Sequence, residues 1–204
     1  TYVGADGLIK TATVNTPRFE YDPITGDSKG LLVEGPIARI GGRMQLGGNN
    51  LLGTANVPNI AAPDGTNTAI YNYAGGSGPQ YETVGERAAG ESNGKLYTMT
   101  VFAKAGEQSR FMLVGGAEPS SKEVVFDVST GTIIRQPTHV NSSASITPYK
   151  DGWYRCSVTF LRETASSNYF FFWLPMSGPT TYGWAPGSGG MYFWGLNIAE
   201  DAAG

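Results

Sequence analysis

The chain is poor in the residue types on which most nucleophilic and metal-dependent chemistry depends. Its 204 residues include one cysteine, Cys156, and one histidine, His139. A single cysteine excludes an internal disulfide and a multi-cysteine metal site. Charged residues make up only 15% of the sequence, whereas an average globular domain has about 25%. The composition therefore excludes most thiol- and histidine-based sites.

Basic runs and long apolar runs are also missing. The net charge is −3, and no two lysines or arginines are adjacent, so a nucleic-acid partner is not expected. No apolar segment approaches the roughly 18 residues that span a bilayer, so membrane insertion is not expected either. The first residues have neither the basic nor the apolar region of a signal peptide, and the chain begins with Thr1 instead of Met. We expect a fragment of a longer protein.

What the sequence has in abundance is glycine, proline and aromatic residues. The 29 glycines and 12 prolines separate short apolar runs that alternate with polar residues, which is typical of strands joined by turns. This pattern predicts an all-β fold, an antiparallel two-sheet sandwich of jelly-roll type. The clearest predicted strands are residues 68–73, 95–105, 110–114, 123–128, 154–161, 168–174 and 191–198.

Two of these strands carry specific predictions. In residues 154–161, Tyr154, Cys156, Val158 and Phe160 share one face, which we expect to be buried, with Cys156 as a packing residue. Residues 168–174 are apolar on both faces. That strand is either central and covered on both sides or has an outer face that meets a partner, which favours self-association.

The chain divides at about residue 40. Residues 1–40 predict an extended arm with a hairpin built from residues 17–22 and 31–34, and residues 41–204 predict the sandwich domain. Because a two-stranded hairpin is marginal alone, we expect it to pair with a sheet edge of its own sandwich or of a neighbouring subunit. The residues predicted to be buried there are Phe19, Tyr21, Leu31 and Val33.

Seven short stretches occur in an order that points to a family. They are residues 1–10 (TYVGADGLIK), 15–19 (NTPRF), 30–34 (GLLVE), 62–66 (APDGT), 97–105 (YTMTVFAKA), 151–156 (DGWYRC) and 192–195 (YFWG). In these the chain resembles virion-associated proteins of tailed bacteriophages (tail-fibre, head-fibre or decoration proteins) whose jelly-roll domain is similar to carbohydrate-binding modules. Residues 36–45 depart from the pattern, which usually continues with asparagine, leucine and tyrosine.

The resemblance implies a non-catalytic module on the virion surface that binds host-surface polysaccharide during adsorption. It also implies contacts with other virion proteins and assembly as a homotrimer. Two alternatives stay open. The chain is a purely structural decoration or fibre subunit with no sugar ligand, or an accessory module of a larger polysaccharide-degrading protein.

No residues in the sequence predict a catalytic or metal site. His139 lies in a polar loop and is expected to be a surface or capping residue. A glycosidase needs two carboxylates placed across a sugar bond, and a sequence with 17 acidic residues always offers some pair. No cofactor is expected. The alternative is a structural calcium ion at turn or strand-end carboxylates, for which the candidates are Asp64, Asp127, Asp151 and Glu200.

Sugar recognition needs exposed aromatic rings, and two groups are candidates. Tyr182 and Trp184 lie in the Gly/Pro-rich loop 177–187, where they contact a sugar, contact another subunit or pack against their own sandwich. Tyr71 and Tyr73 share one strand face and form a second platform with Tyr81, or else lie in the core or at its rim. The remaining aromatic residues of these motifs are expected in the core or at a subunit interface, namely Trp153, Tyr154, Trp173 and Trp194.

Overall fold

The computed structural model describes residues 1–14, 16–32, 52–56, 60–74, 94–115, 123–162, 171–181, 183–185 and 187–200, with the backbone alone at 52–56, 115 and 171–174. Fourteen strands occur in these ranges. They are β1 (Tyr2–Val3), β2 (Ile9–Lys10), β3 (Phe19–Tyr21), β4 (Ser28–Leu31), β5 (Leu52–Asn56), β6 (Ile70–Ala74), β7 (Leu96–Ala105), β8 (Arg110–Gly115), β9 (Glu123–Asp127), β10 (Thr132–Arg135), β11 (Ser143–Pro148), β12 (Trp153–Leu161), β13 (Phe171–Pro175) and β14 (Gly190–Glu200). A short 3-10 turn, Lys150–Gly152, precedes β12.

Two antiparallel sheets form the body. One has six strands in the order β11-β12-β7-β14-β6-β5, and the other has four in the order β10-β9-β8-β13. Their facing sides share one apolar cluster, in which Phe111 of the four-stranded sheet packs edge-on against Phe193 of the six-stranded sheet at 5.2 Å between ring centres. The prediction of an all-β antiparallel sandwich is confirmed. The jelly-roll connectivity stays a prediction.

Side-chain alternation fixes which face of each strand is buried. In β12, Cys156, Val158 and Phe160 are fully buried between the sheets, and Tyr154 packs against the same cluster. This confirms the predicted buried face. Burial raises the pKa of the Cys156 thiol, which keeps it protonated and makes it a packing residue.

The N-terminal arm forms two small two-stranded sheets, β1-β2 and β3-β4. It lies on the outer face of the six-stranded sheet, where Val3 and Ile9 pack into a second apolar cluster around Phe102 and Trp153. The Ile9 N–H donates to the Pro63 carbonyl at 3.0 Å. The arm therefore packs on the face of its own sandwich. Among the described strands the hairpin pairs with no edge of that sandwich, and its pairing with a neighbouring subunit stays a prediction.

The predicted burial of the hairpin side chains against this sandwich is also not seen. Phe19 and Leu31 face each other across β3 and β4 and are 52% and 57% exposed. Tyr21 is half-buried, and Val33 lies outside the described residues. The contacts of the arm with the body come instead from β1 and β2, because their apolar side chains point towards the sheet.

The strand predicted at 168–174 is described from residue 171 onward. Its backbone, β13, pairs with β8 and ends the strand order of the four-stranded sheet within the described part of the chain. The strand is therefore not central in the described strand order. The side chains of 171–174 lie outside the described residues, so the coverage of both its faces stays a prediction. The alternative, an outer face that meets a partner, stays a prediction.

Candidate functional site

A cleft of about 510 Å³ lies between the arm and the outer face of the six-stranded sheet. This volume is in the range of small-ligand sites. The arm supplies one wall, with Tyr2, Val3, Ile9, Glu20 and Leu32 among its lining residues. The arm and the sheet strands on the other side of the cleft are distant in sequence. They meet because the arm packs against the second apolar cluster.

The sheet supplies the floor of the cleft. Thr100 and Phe102 come from β7, Arg155 from β12, and Trp194 and Asn197 from β14. The three strands are neighbours, and Phe102 is paired with Arg155 on one side and with Trp194 on the other. The Phe102 and Trp194 rings meet edge to face at 5.6 Å between centres. The floor thus combines aromatic surface with a hydroxyl, an amide and a guanidinium group.

A bulge in β14 brings Trp194 and Asn197 to the same face. Between these residues β14 has one more residue than the paired segment of β7, which runs from Phe102 to Thr100. Gly195 in this bulge has a φ of +63°, a conformation that glycine adopts without steric cost. Without the extra residue, residue 197 would point into the inter-sheet core, because side chains alternate along a strand.

Tyr149 lines the cleft beside Phe102 and is buried. It is 6% exposed, and its ring meets Phe102 edge to face at 5.3 Å. Within the described residues its hydroxyl has no hydrogen-bond partner. Burial, and to a lesser degree the charges of Glu20 and Asp6, raise the pKa of Tyr149, so the hydroxyl keeps its proton. A buried hydroxyl without a partner is costly.

The two charged side chains of the cleft stand apart. The Glu20 carboxylate accepts the Val3 N–H at 3.2 Å and belongs to the arm. Arg155 is exposed and belongs to the sheet. No ion pair between these two side chains occurs in the described part of the chain. The cleft therefore offers a cation and an anion at separate places.

Of the predicted ligand-binding residues, Trp184 is corrected by the structure. It is 2% exposed, packs in the inter-sheet core, and its indole N–H donates to the Arg110 carbonyl at 3.2 Å. A ring buried to this extent has no free face on which a sugar can stack. Of the three alternatives, packing against its own sandwich is the one observed. Tyr182 lies outside the described residues.

Tyr71 and Tyr73 form an aromatic row on the outer face of β6. Their rings stack with centres 5.8 Å apart, and Tyr192 of β14 lies 4.9 Å from Tyr71. All three are half-buried, which is the predicted rim position. Tyr81, proposed as the third member, lies outside the described residues; Tyr192 takes a place in the row instead.

Glu107 fixes the tyrosine row. The Tyr71 hydroxyl donates to the Glu107 carboxylate, which also accepts the Gly190 N–H at 3.2 Å. These bonds hold the pKa of Glu107 below its usual range. Burial and the bond to Glu107 raise the pKa of Tyr71 to about 12. Gly190 is required at this point, because a Cβ there would lie 1.8 Å from the Asn72 carbonyl oxygen.

The other predicted aromatic residues are placed as follows. Trp153 is 1% exposed in the second cluster, which confirms the predicted core position. Trp194 is half-buried beside it and lines the cleft, and its predicted place in a subunit interface stays a prediction. The backbone of Trp173 is described without its side chain. His139 accepts the Asn141 N–H at its Nδ1 at 3.3 Å, which is the predicted capping role.

The candidate calcium ligands are not gathered into a site. Asp64 accepts bonds from Thr66, Asp127 pairs with Arg110 at 2.6 Å, and Glu200 pairs with Lys95 at 3.4 Å. Across the described ranges, no group of three or more histidine, cysteine or acidic side chains is placed to hold a metal ion. The same ranges contain no helix long and apolar enough to cross a membrane.

The cleft is the site that the sequence did not predict. Its residues come from positions 1–32, 100–102, 149–155 and 194–197, and no single motif contains them. One local signal was present, since a glycine inside a strand pattern, here Gly195, often marks a bulge. No protein-family model matches the chain, and no curated protein matches it.

Proposed function

We propose that this chain is a non-catalytic module of a virion surface protein of a tailed bacteriophage, and that it binds host-surface polysaccharide in the cleft between the arm and the six-stranded sheet. The observation that carries the binding role is the composition of the cleft. The half-buried ring of Trp194 lies beside polar groups of Thr100, Asn197 and Glu20 in one concave site. Flat rings suit the apolar face of a pyranose, and hydroxyl, amide and carboxylate groups suit its hydroxyls.

The non-catalytic part of the proposal rests on the carboxylates. Glycoside hydrolysis uses two carboxyl groups on opposite sides of the scissile bond. Among the described residues that line the cleft, Glu20 alone carries a carboxyl side chain. The cleft can therefore hold a sugar, but it does not present the pair of groups that would cut it.

The virion location rests on the ordered sequence motifs that resemble phage proteins. A structural role in the particle is the second candidate function, and one observation favours it. Phe19 and Leu31 form an exposed apolar pair on the hairpin, of a kind that a neighbouring subunit would cover. The two roles are compatible, since the pair and the cleft use different side chains of the arm.

Binding is tested by affinity electrophoresis of the purified chain through gels that contain bacterial capsular or O-antigen polysaccharides. We expect retardation by a subset of them, weakened about tenfold or more by Asn197→Ala and by Glu20→Gln. Glu200→Gln is the matched control, because it removes a surface carboxylate outside the cleft. Retardation by no polysaccharide, or equal retardation of all variants, would overturn the proposal. New reducing ends in the gel would overturn its non-catalytic part.

A further inference from the structure

Among the cationic side chains that the structure describes, Arg155 is distinguished by its place in the cleft. It lies on the outer face of β12, is exposed, and lines the cleft. The ion pairs and side-chain hydrogen bonds of the described residues include none from its guanidinium group. Because Cys156 and Val158 on the same strand point into the core, the backbone of Arg155 is fixed beside the cleft and its side chain starts from the outward side of the strand.

Seven other described lysines and arginines form ion pairs or hydrogen bonds. Lys10, Lys29, Lys95, Arg110 and Arg135 pair with carboxylates, and Lys104 and Lys150 donate to main-chain carbonyls. Even strongly exposed lysines, such as Lys95 at 53%, have a partner. The unpaired guanidinium thus lies in the concave site and not on an open surface.

The other charged side chain of the cleft, Glu20, forms no ion pair with Arg155 in the described structure. Glu20 stands on the arm and accepts the Val3 N–H. The groups nearest in register to Arg155 are Phe102 and Thr147, which are uncharged. An arginine beside an aromatic ring in a partly enclosed site binds anions more strongly than one in open water, and its planar fork matches a carboxylate.

We propose that the cleft selects acidic sugars, with the guanidinium group of Arg155 binding the carboxylate of a glycan residue. This inference rests on the proposed glycan-binding function and specifies its ligand class. Asn197 and Thr100 then bind hydroxyl groups, and Glu20, on the opposite wall, accepts from hydroxyls while it repels a carboxylate bound in the reverse direction. The separated charges thus fix the orientation of the sugar as well as its class.

The shared chemistry is a carboxylate on a pyranose ring, which uronic acids and nonulosonic acids both supply. Titration calorimetry with polygalacturonate, alginate and polysialic acid, each in its free-acid and its methyl-esterified form, distinguishes these sources and tests the charge. We expect at least one free acid to bind about tenfold or more tighter than its ester. We expect that preference to shrink as sodium chloride rises from about 50 mM to about 500 mM.

Variants assign the preference to one residue. Arg155→Gln should lower affinity for the free acid about tenfold or more and leave affinity for the ester unchanged, and Arg155→Lys should keep part of the preference. Lys95→Gln removes the same charge outside the cleft and should keep all of it. Thermal unfolding of each variant checks the fold, which an exposed position leaves intact.

The outcomes separate the two proposals. Equal binding of acids and esters, or binding to neutral polysaccharides alone, overturns the selection of acidic sugars and leaves the glycan-binding function standing. An equal loss with Arg155→Gln and Lys95→Gln also overturns it. Failure to bind any polysaccharide, here and in the gels, overturns the glycan-binding function itself.

Discussion

The indole N–H of Trp153 donates a hydrogen bond to the main-chain carbonyl oxygen of Ala61 at 3.0 Å. Trp153 begins β12, and Ala61 belongs to the segment that crosses the outer face of the six-stranded sheet. This bond ties the sandwich to the layer on which the arm rests. The Ile9 N–H bonds to Pro63, two residues from Ala61, so the arm depends on the position of that layer.

Replacing Trp153 with phenylalanine should test this attachment. The variant keeps an aromatic ring in the second cluster and removes the donor, so we expect unfolding free energy to fall by about 1–2 kcal/mol. Urea denaturation followed by tryptophan fluorescence and far-ultraviolet circular dichroism measures it. Trp194→Phe is the comparison, because its indole donates to the exposed hydroxyl of Thr68 and should cost less. Equal losses in both variants would contradict the prediction.

Trp184 should be a stability residue. Because the side chain is 2% exposed in the inter-sheet core, Trp184→Ala should lower the free energy of unfolding by about 3–5 kcal/mol. Trp184→Phe, which keeps most of the packing and loses the bond to Arg110, should cost less. Both are measured by urea denaturation, and glycan affinity of the folded fraction should not change. A stable Trp184→Ala protein with weakened glycan binding would contradict this prediction and would indicate that the Trp184 ring contacts the glycan.

The sequence located the sandwich because its core strands alternate strongly. The buried face of β12 could be seen in the spacing of Cys156, Val158 and Phe160 alone. β11 was missed, although Ala144 and Ile146 alternate with serine and threonine, because its residues are small and only one of them, Ile146, is strongly apolar. Trp184 was misplaced for a different reason. Glycine and proline indicate a loop, but composition does not show which way a loop folds.

The cleft could not be predicted, because it arises from long-range packing. No local pattern tells that Glu20 of a hairpin lies across from Arg155 of a strand more than a hundred positions later. The aromatic row was predicted correctly for Tyr71 and Tyr73, since both belong to one strand. Its contact with Tyr192 depends on the pairing of β6 with β14, which the sequence does not specify.

Asp127 should make the stability of the sandwich depend on acid. Its burial opposes ionisation, but hydrogen bonds from Ser129 and Arg110 outweigh this and hold the pKa of Asp127 below 3.8. A lowered pKa in the folded state gives stability that is present above the unfolded value and is lost as pH falls through the folded value. We therefore expect the urea concentration at the midpoint of unfolding to decrease as the pH falls below about 4.

Asp127→Asn isolates this contribution. The variant should be less stable at neutral pH, because Arg110 loses its charged partner, and the difference from the parent protein should narrow between about pH 5 and about pH 2. Asp27→Asn, at the exposed hairpin tip, is the control. A constant difference across this pH range would show that the carboxylate charge is not what stabilises the site.

The tyrosine row should extend the binding surface for long polysaccharides. Tyr73→Ala removes one stacked ring, and loss of about 40 Å² of apolar contact is worth about 1 kcal/mol, or about fivefold in affinity. We expect this loss for polymers and none for a monosaccharide, as calorimetry would show. Tyr73→Phe, which keeps the ring, is the control. If Tyr73→Ala binds polymers as the parent does, the row plays no part in binding.

The exposed pair on the hairpin should control assembly. The predicted homotrimer would bury Phe19 and Leu31, so Phe19→Ser with Leu31→Ser should reduce the mass in light scattering about threefold. Ile24→Ser, at an equally exposed position on the hairpin tip, should keep the trimer. A parent protein that runs at 21.6 kDa at all concentrations would contradict the prediction.

Deletion of residues 1–34 tests assembly less cleanly than these substitutions. An arm that serves only as a tether would leave glycan binding intact on removal. Because Tyr2, Val3 and Glu20 line the cleft, the deletion should weaken glycan binding as well as assembly. The paired serine substitutions leave these residues in place and should keep glycan affinity, which calorimetry on the monomeric fraction would confirm.

The two charged walls of the cleft use positions that the inter-sheet core does not. Glu20 projects from an arm laid over the sandwich, and Arg155 occupies the outward side of a strand whose inward side carries Cys156 and Val158. In β12 the residue that lines the cleft and the residues that form the core are therefore different positions of the same strand. Changes in the arm or in the outward residues of β12 can therefore alter the lining of the cleft without changing the side chains of the inter-sheet core.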